Sequence, residues 1–343
     1  MALITKRKIG FKISPKLRKY LTKYQREREL PLKYSDLLRF VMRVPLYDKK
    51  GKDTLWESVY YPPSDIDEIY QNLKMIYADL KTDGNTSAIE HLVVDRVDIC
   101  TYANTSPFRI RIINKVNDNY DYFYIKKADA SRIYGLELEQ LLSPNAVSYV
   151  TFGETLVEEH IAGITGDLFM ENHLSDVNLN PIRLAKEFIK FNERCFVRLL
   201  GDMHSSNFVI IIIPDFEDFH YRIRAIDFDQ QSYEASKSVY MPQYFKQNNA
   251  IIQLGMKYMT PESVRQYQIE ERSMIANRVL AERVRLHDLL EVMKKDELSL
   301  PENLAQLKKE LSQHYKNPQF LACKSMGEVV ELSLKMVASN HSI

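Results

Sequence analysis

Two short acidic motifs limit this chain more than any other feature. Residues 201–207 read Gly-Asp-Met-His-Ser-Ser-Asn, and residues 226–229 read Ile-Asp-Phe-Asp. Both lie against short apolar runs of strand type, Phe208 to Ile213 and Tyr221 to Ile226. An acid, an amide further along the same loop and a second acid on the next strand gather oxygen ligands around one point. Hard divalent cations such as Mg²⁺ take ligands of this kind, and phosphates bring that ion with them. One acid is then left to take a proton from an attacking hydroxyl.

The length, 343 residues, fits roughly two domains. A net charge of +1 argues against a wholesale nucleic-acid binder. The charge is uneven, since residues 1–30 hold ten Lys and Arg against Glu27 and Glu29. Such a run reads as a solvated basic arm or helix, with contact to an anionic partner as the alternative. Cys100, Cys195 and Cys323 are widely spaced and form no CxxC pair, which reads as reduced thiols in a cytoplasmic protein. The longest apolar run, Phe208 to Ile213, is far short of the ~20 residues that span a bilayer, and the basic N-terminus lacks a signal-peptide apolar region.

Periodicity divides the chain. Acids at 65, 67 and 68 open a helix in which Ile66, Tyr70, Leu73, Tyr77 and Leu80 recur at helical spacing, with Asp83-Gly84 as its stop. Residues 1–90 are therefore expected to form a helical, basic N-terminal extension. Residues 92–103, 108–116 and 120–126 read as a three-strand meander with turns at 104–107 and 117–119. A short helix is expected over 131–142, then two more apolar stretches at 146–152 and 155–161. Asn180-Pro181 caps a further helix. Long helices are expected from Thr260 to about Lys295, from Ser299 onward, and over 326–339. The expected fold class is α+β, with a β-rich lobe at 91–160 and a helical lobe at 161–343.

GDMHSSN followed by AIDFD resembles the aminoglycoside and choline phosphotransferase branch of the protein-kinase-like fold. The resemblance covers about residues 92–290, close only at its motifs, and implies a bilobal fold with its catalytic loop at 198–207 and metal segment at 226–229. It implies ATP and Mg²⁺ as cofactors, Asp202 as the group that orients or deprotonates the acceptor hydroxyl, and Asn207 and Asp227 as metal ligands. Asp229 would support the metal site, and His204 would brace the loop. Tyr124-Ile-Lys-Lys127 resembles the kinase-type strand whose lysine touches the phosphates, with Lys126 the better fit. Its partner acid is Glu137 or Glu139, only one of which is expected to face inward, and the spacing favours Glu137. Residues 155–163 resemble the segment that links the lobes, so that the Glu159 carbonyl and Ile161 amide would meet the adenine edge.

The chain also departs from that pattern. Leu200 stands where the family has His, and Glu158 holds the usual apolar gatekeeper position. Asn104-Thr-Ser-Pro107 replaces the glycine-rich phosphate loop. The expected activity is phosphoryl transfer to a hydroxyl of a small molecule or protein. A catalytically weak nucleotide-binding protein and an AMP transferase are alternatives. A metal hydrolase using His160, His204 and His220 lacks any zinc-type spacing. The polar-aromatic segment Gln230 to Tyr244 suits loop packing or an acceptor pocket.

Overall fold

A computed structural model describes residues 8–82, 86–216 and 218–339. The chain is α+β, with an antiparallel sheet and a helical region. It divides into two compact units, Met1–Asp129 with Val147–His160, and Ala130–Ala146 with Ile161–Ile343.

The first unit is built on a seven-stranded sheet of β1 (Met42–Tyr47), β2 (Asp53–Tyr60), β3 (Leu92–Ile99), β4 (Phe108–Asn114), β5 (Asn119–Lys127), β6 (Tyr149–Phe152) and β7 (Thr155–Glu159). Their order is β1-β2-β3-β4-β5-β7-β6, every pairing antiparallel. The expected meander is β3 to β5, where Val94, Val97, Phe108, Ile110, Phe123 and Ile125 are buried. Helix Pro63–Thr82 packs on β3. It buries Ile69, Leu73, Ile76 and Leu80 at the three- and four-residue steps of one helix face, which is the physical reason its sequence reads clearly. Its expected Asp83-Gly84 stop, like Lys6 and Arg7 of the basic run, lies outside the described residues.

Residues 1–90 are not a helical extension. β1 and β2 lie within them and belong to the sheet through the β2–β3 pairing. β1 is an edge strand whose residues are nearly all exposed, and Pro45 within it gives up a ladder donor. An exposed edge leaves no alternation of apolar and polar residues to read. The expected break near residue 91 is absent as well, and helix Ala130–Leu142 belongs to the second unit.

The second unit carries a three-stranded sheet, β10 (Phe219–Ala225), β9 (Phe208–Pro214) and β8 (Ile164–Thr165). Helix Pro181–Arg198 packs against β10 and against helices Asn249–Tyr258, Pro261–Ala281 and Met326–Ser339. It starts as the sequence implies, with Pro at its first turn and the Asn180 side chain accepting from Arg183 N at 3.0 Å. It ends at Leu199, held in the left-handed region at φ 58°. The helix expected to run from Thr260 to Lys295 is two helices, Pro261–Ala281 and Arg283–Met293, joined at Glu282. Among the described residues no helix is long and apolar enough to cross a membrane.

Candidate functional site

The 201–207 loop starts where helix Pro181–Arg198 has turned back, and main-chain bonds hold both its ends. Leu200, the residue found in place of His, is fully buried, and its N–H donates to Cys195 O at 2.9 Å. Gly201 N donates to Gln230 O at 3.2 Å, and Asp202 N to Val239 O at 3.0 Å. Asp202 itself sits at φ 62°, a left-handed conformation that a non-glycine residue adopts at a cost of about 1–3 kcal/mol. Its carbonyl accepts from His204 N at 2.9 Å and from Asn207 Nδ2 at 2.8 Å. Asn248 Nδ2 donates to Met203 O at 3.0 Å. These bonds offset the strain at Asp202.

Burial raises the Asp202 carboxyl pKa to about 7, with the charges of Asp227, Glu234 and Asp229 adding to the rise. A carboxylic acid that titrates near neutrality is matched to proton transfer at ordinary pH. His204 is held in a bracing role, since its Nδ1 accepts from Ser206 N at 3.3 Å. Its pKa is lowered, chiefly by burial, which favours the neutral ring.

The second motif is tied to the first. Ile226 N donates to Asn207 O at 3.0 Å, which places Asp227 one residue beyond the loop's amide. Because Asn207 Nδ2 is committed to the Asp202 carbonyl, its Oδ1 is left to accept, and no hydrogen bond reaches that oxygen among the described residues. Asp227 Oδ1 accepts from Asp229 N at 3.1 Å. One amide oxygen and one carboxylate are hard ligands that fit Mg²⁺ of the kind completed by substrate phosphates rather than by an all-protein cage. Among the described residues no group of three or more His, Cys, Asp and Glu is placed to hold a metal ion.

Arg132 was missed by sequence reasoning. Its Nη1 lies 2.8 Å from both Asp227 Oδ1 and Asp229 Oδ1, so one guanidinium bridges the two acids of Ile-Asp-Phe-Asp. The partners are 95 and 97 residues away in sequence, and no local pattern announces them. Asp229 is thus an arginine partner in this site.

Glu137 and Glu139 correct a further expectation. Helix Ala130–Leu142 is buried on nearly every face, so both acids are buried and the choice of one inward residue does not apply. Glu137 takes a two-pronged bond from Arg285, with Nη2 to Oε2 at 2.8 Å and Nε to Oε2 at 3.2 Å. Glu139 pairs with Arg198 and accepts from Ser143 Oγ at 2.6 Å. Glu137 lies in the second unit with Asp202, Asn207 and Asp227, whereas Lys126 lies in the first.

Within the first unit, Lys126 is buried and Lys127 exposed, the alternation expected of β5. Lys126 Nζ is 2.8 Å from Glu158 Oε2. Lys126 pairs in register with Leu156, which makes Glu158 its diagonal neighbour on the same sheet face. Glu158, expected as an unusual gatekeeper, is this lysine's partner. Glu159 ends β7, where its N–H donates to Ser148 O at 3.0 Å and its Oε1 accepts from Ser148 N at 2.8 Å. Ile161 is buried in the second unit. His160 contacts Tyr124 and His220 contacts Asp215.

No protein-family model matches the chain, and no curated protein matches its sequence. Among solved structures, titin kinase with its flanking domains aligns over 80% of this chain at 12% identity and a TM-score of 0.26. The chain spans 61% of that structure's length.

Proposed function

We propose that the chain is an ATP- and Mg²⁺-dependent phosphotransferase acting on a hydroxyl of a small molecule or protein. The observation that carries the reading is the Asp202 carboxylate, raised to about 7 on a left-handed residue that the Asn207 side chain and Val239 hold in place. As the acceptor oxygen bonds to the γ-phosphorus, Asp202 takes the hydroxyl proton. The bond from that phosphorus to the ADP oxygen breaks and its electron pair leaves with ADP. Asn207 Oδ1 and the Asp227 carboxylate would hold Mg²⁺, which when bound neutralises charge on the phosphate oxygens. On the family resemblance, Lys126 is assigned to the phosphates, with Glu158 rather than Glu137 as its acid partner, and the Glu159 carbonyl and Ile161 amide to the adenine edge.

Arg132 favours a second reading. Its guanidinium already balances Asp227 and Asp229, which suits a chain that binds nucleotide and transfers little. Incubating the full chain with ATP and Mg²⁺ and weighing the products separates the readings. Phosphoryl transfer adds a phosphate mass and releases ADP, and Asp202→Asn then lowers product formation by about 10²–10⁴-fold. AMP transfer adds a nucleotide mass and releases pyrophosphate. A thermal shift with ATP and Mg²⁺ but no product supports nucleotide binding alone. No shift at millimolar nucleotide overturns both readings, and a shift unchanged in Asp227→Ala removes the metal assignment.

A further inference from the structure

A groove of about 810 Å³ opens within the second unit between helices Pro181–Arg198, Asn249–Tyr258 and Pro261–Ala281. That volume lies in the range of small-molecule sites. Its wall is largely apolar, with Phe188, Ile251, Ile252, Met259 and Val264 among the lining residues. The polar part of the lining includes two arginines and no acid. Arg272 is already neutralised, with its Nε 2.5 Å from Glu193 Oε1. Arg265 is exposed at the rim, and among the described residues its guanidinium makes no hydrogen bond or ion pair. Gln268, on the same helix and also in the lining, has a side chain with no hydrogen bond among the described residues.

Gly255 adds an independent observation. It lies inside helix Asn249–Tyr258, where glycine costs about 1 kcal/mol relative to alanine. Its φ is not positive, so no turn requires it. A Cβ built on it meets nothing within 4 Å, so no close approach requires it either. What the missing side chain does is leave the groove open at that point.

We propose that this groove is a binding site for an amphipathic small molecule, an acyl chain or apolar ring system bearing one anionic group. The apolar body lies against Phe188, Ile252 and Val264, and the anionic end meets Arg265. An apolar body is needed because the wall offers few polar partners. A single negative charge is needed because the lining presents one cation without a counter-charge. The site does not depend on the proposed phosphotransfer.

Dodecanoate below its micelle concentration, titrated into the full chain by calorimetry, tests the assignment, with dodecanol as the uncharged control. Saturable one-to-one binding of dodecanoate is expected. Gly255→Leu, which fills open space and improves the helix, is expected to weaken binding at least tenfold with no fall in Tm. Arg265→Gln, at an exposed position, is expected to weaken dodecanoate about tenfold and leave dodecanol unchanged. Absence of saturable binding, or binding unaffected by Gly255→Leu, overturns the site. Equal loss of both ligands in Arg265→Gln overturns the anionic assignment. A concentration-dependent dimer that Gly255→Leu abolishes, without dodecanoate binding, assigns the groove to a second copy of the chain instead.

Discussion

Arg132 Nη1 donates to Asp227 Oδ1 across 2.8 Å, and the same nitrogen reaches Asp229. The side chains of Arg132 and Asp229 are only 2% and 8% exposed, so the charges are largely out of water. Arg132→Met leaves Asp229 as a buried acid without its guanidinium. Loss of one member of a buried pair typically destabilises by about 3–5 kcal/mol, and a loss of that size in urea unfolding is expected here. Arg132→Lys should recover part of it, because a single ammonium replaces the charge but not the fork of donors. A change below about 1 kcal/mol for Arg132→Met would show that the bridge holds nothing together.

The Asp202 carboxyl sets a pH dependence whose sign follows from its raised pKa. Its folded value of about 7 lies above the ordinary aspartate value, so the folded state holds the proton more tightly than the unfolded chain. The stabilisation is present below the unfolded pKa and is lost as pH rises through about 7. Asp202→Asn removes that slope. In metal-free buffer its Tm should match wild type near pH 4 and exceed it at pH 8. Wild-type turnover with Mg²⁺ should also rise with pH as the base ionises, at lower pH than the metal-free change because a cation held at Asp227 favours the charged carboxylate. A turnover profile flat from pH 4 to 8.5 removes Asp202 from the proton-transfer role.

Lys126 and Glu158 form a buried pair whose side chains are 9% and 6% exposed. Glu158→Gln keeps the shape and removes the charge, and is expected to destabilise by about 3 kcal/mol. The double variant Lys126→Met with Glu158→Leu should lie closer to wild type than the sum of the single changes. A thermodynamic cycle over the four proteins reads the coupling, and a coupling near zero means the pair is independent.

Gly166 is required by packing rather than by its backbone angles. A Cβ there would lie 2.4 Å from Phe208 Cε2 and 2.7 Å from the carbonyl oxygen of Ser205. The phenyl ring is itself buried and the carbonyl is main chain of the 201–207 loop, so neither yields cheaply. Gly166→Ala is expected to destabilise by about 1–3 kcal/mol, as overpacking does, and to lower ATP turnover by displacing the loop. Wild-type Tm in that variant would show that the loop gives way freely.

What could be read from the chain alone was what repeats locally. Helix Pro63–Thr82, the strands β3 to β5, the Asn180 cap and helix Met326–Ser339 each follow from apolar spacing or a capping residue within a few positions. That Lys126 and Lys127 turn to opposite faces also followed, because alternation along a strand is a property of the backbone. The 201–207 and 226–229 motifs were legible as oxygen donors for the same reason: their chemistry is in the residue types.

The partners were decided only by the tertiary structure. β1 went unread because a mostly exposed edge strand has no buried face to stamp a period on the sequence, and β2, between β1 and β3, fully buries only the consecutive residues Ser58 and Val59. Glu158 became the partner of Lys126 through the register of β5 against β7, and Arg132 reached Asp227 and Asp229 across a long sequence separation. Glu137 and Glu139 both turned inward because their helix is surrounded, which a single amphipathic stripe does not foretell. Charge pairing and burial depend on which elements meet, and that information is held in the packing rather than in any short stretch of residues.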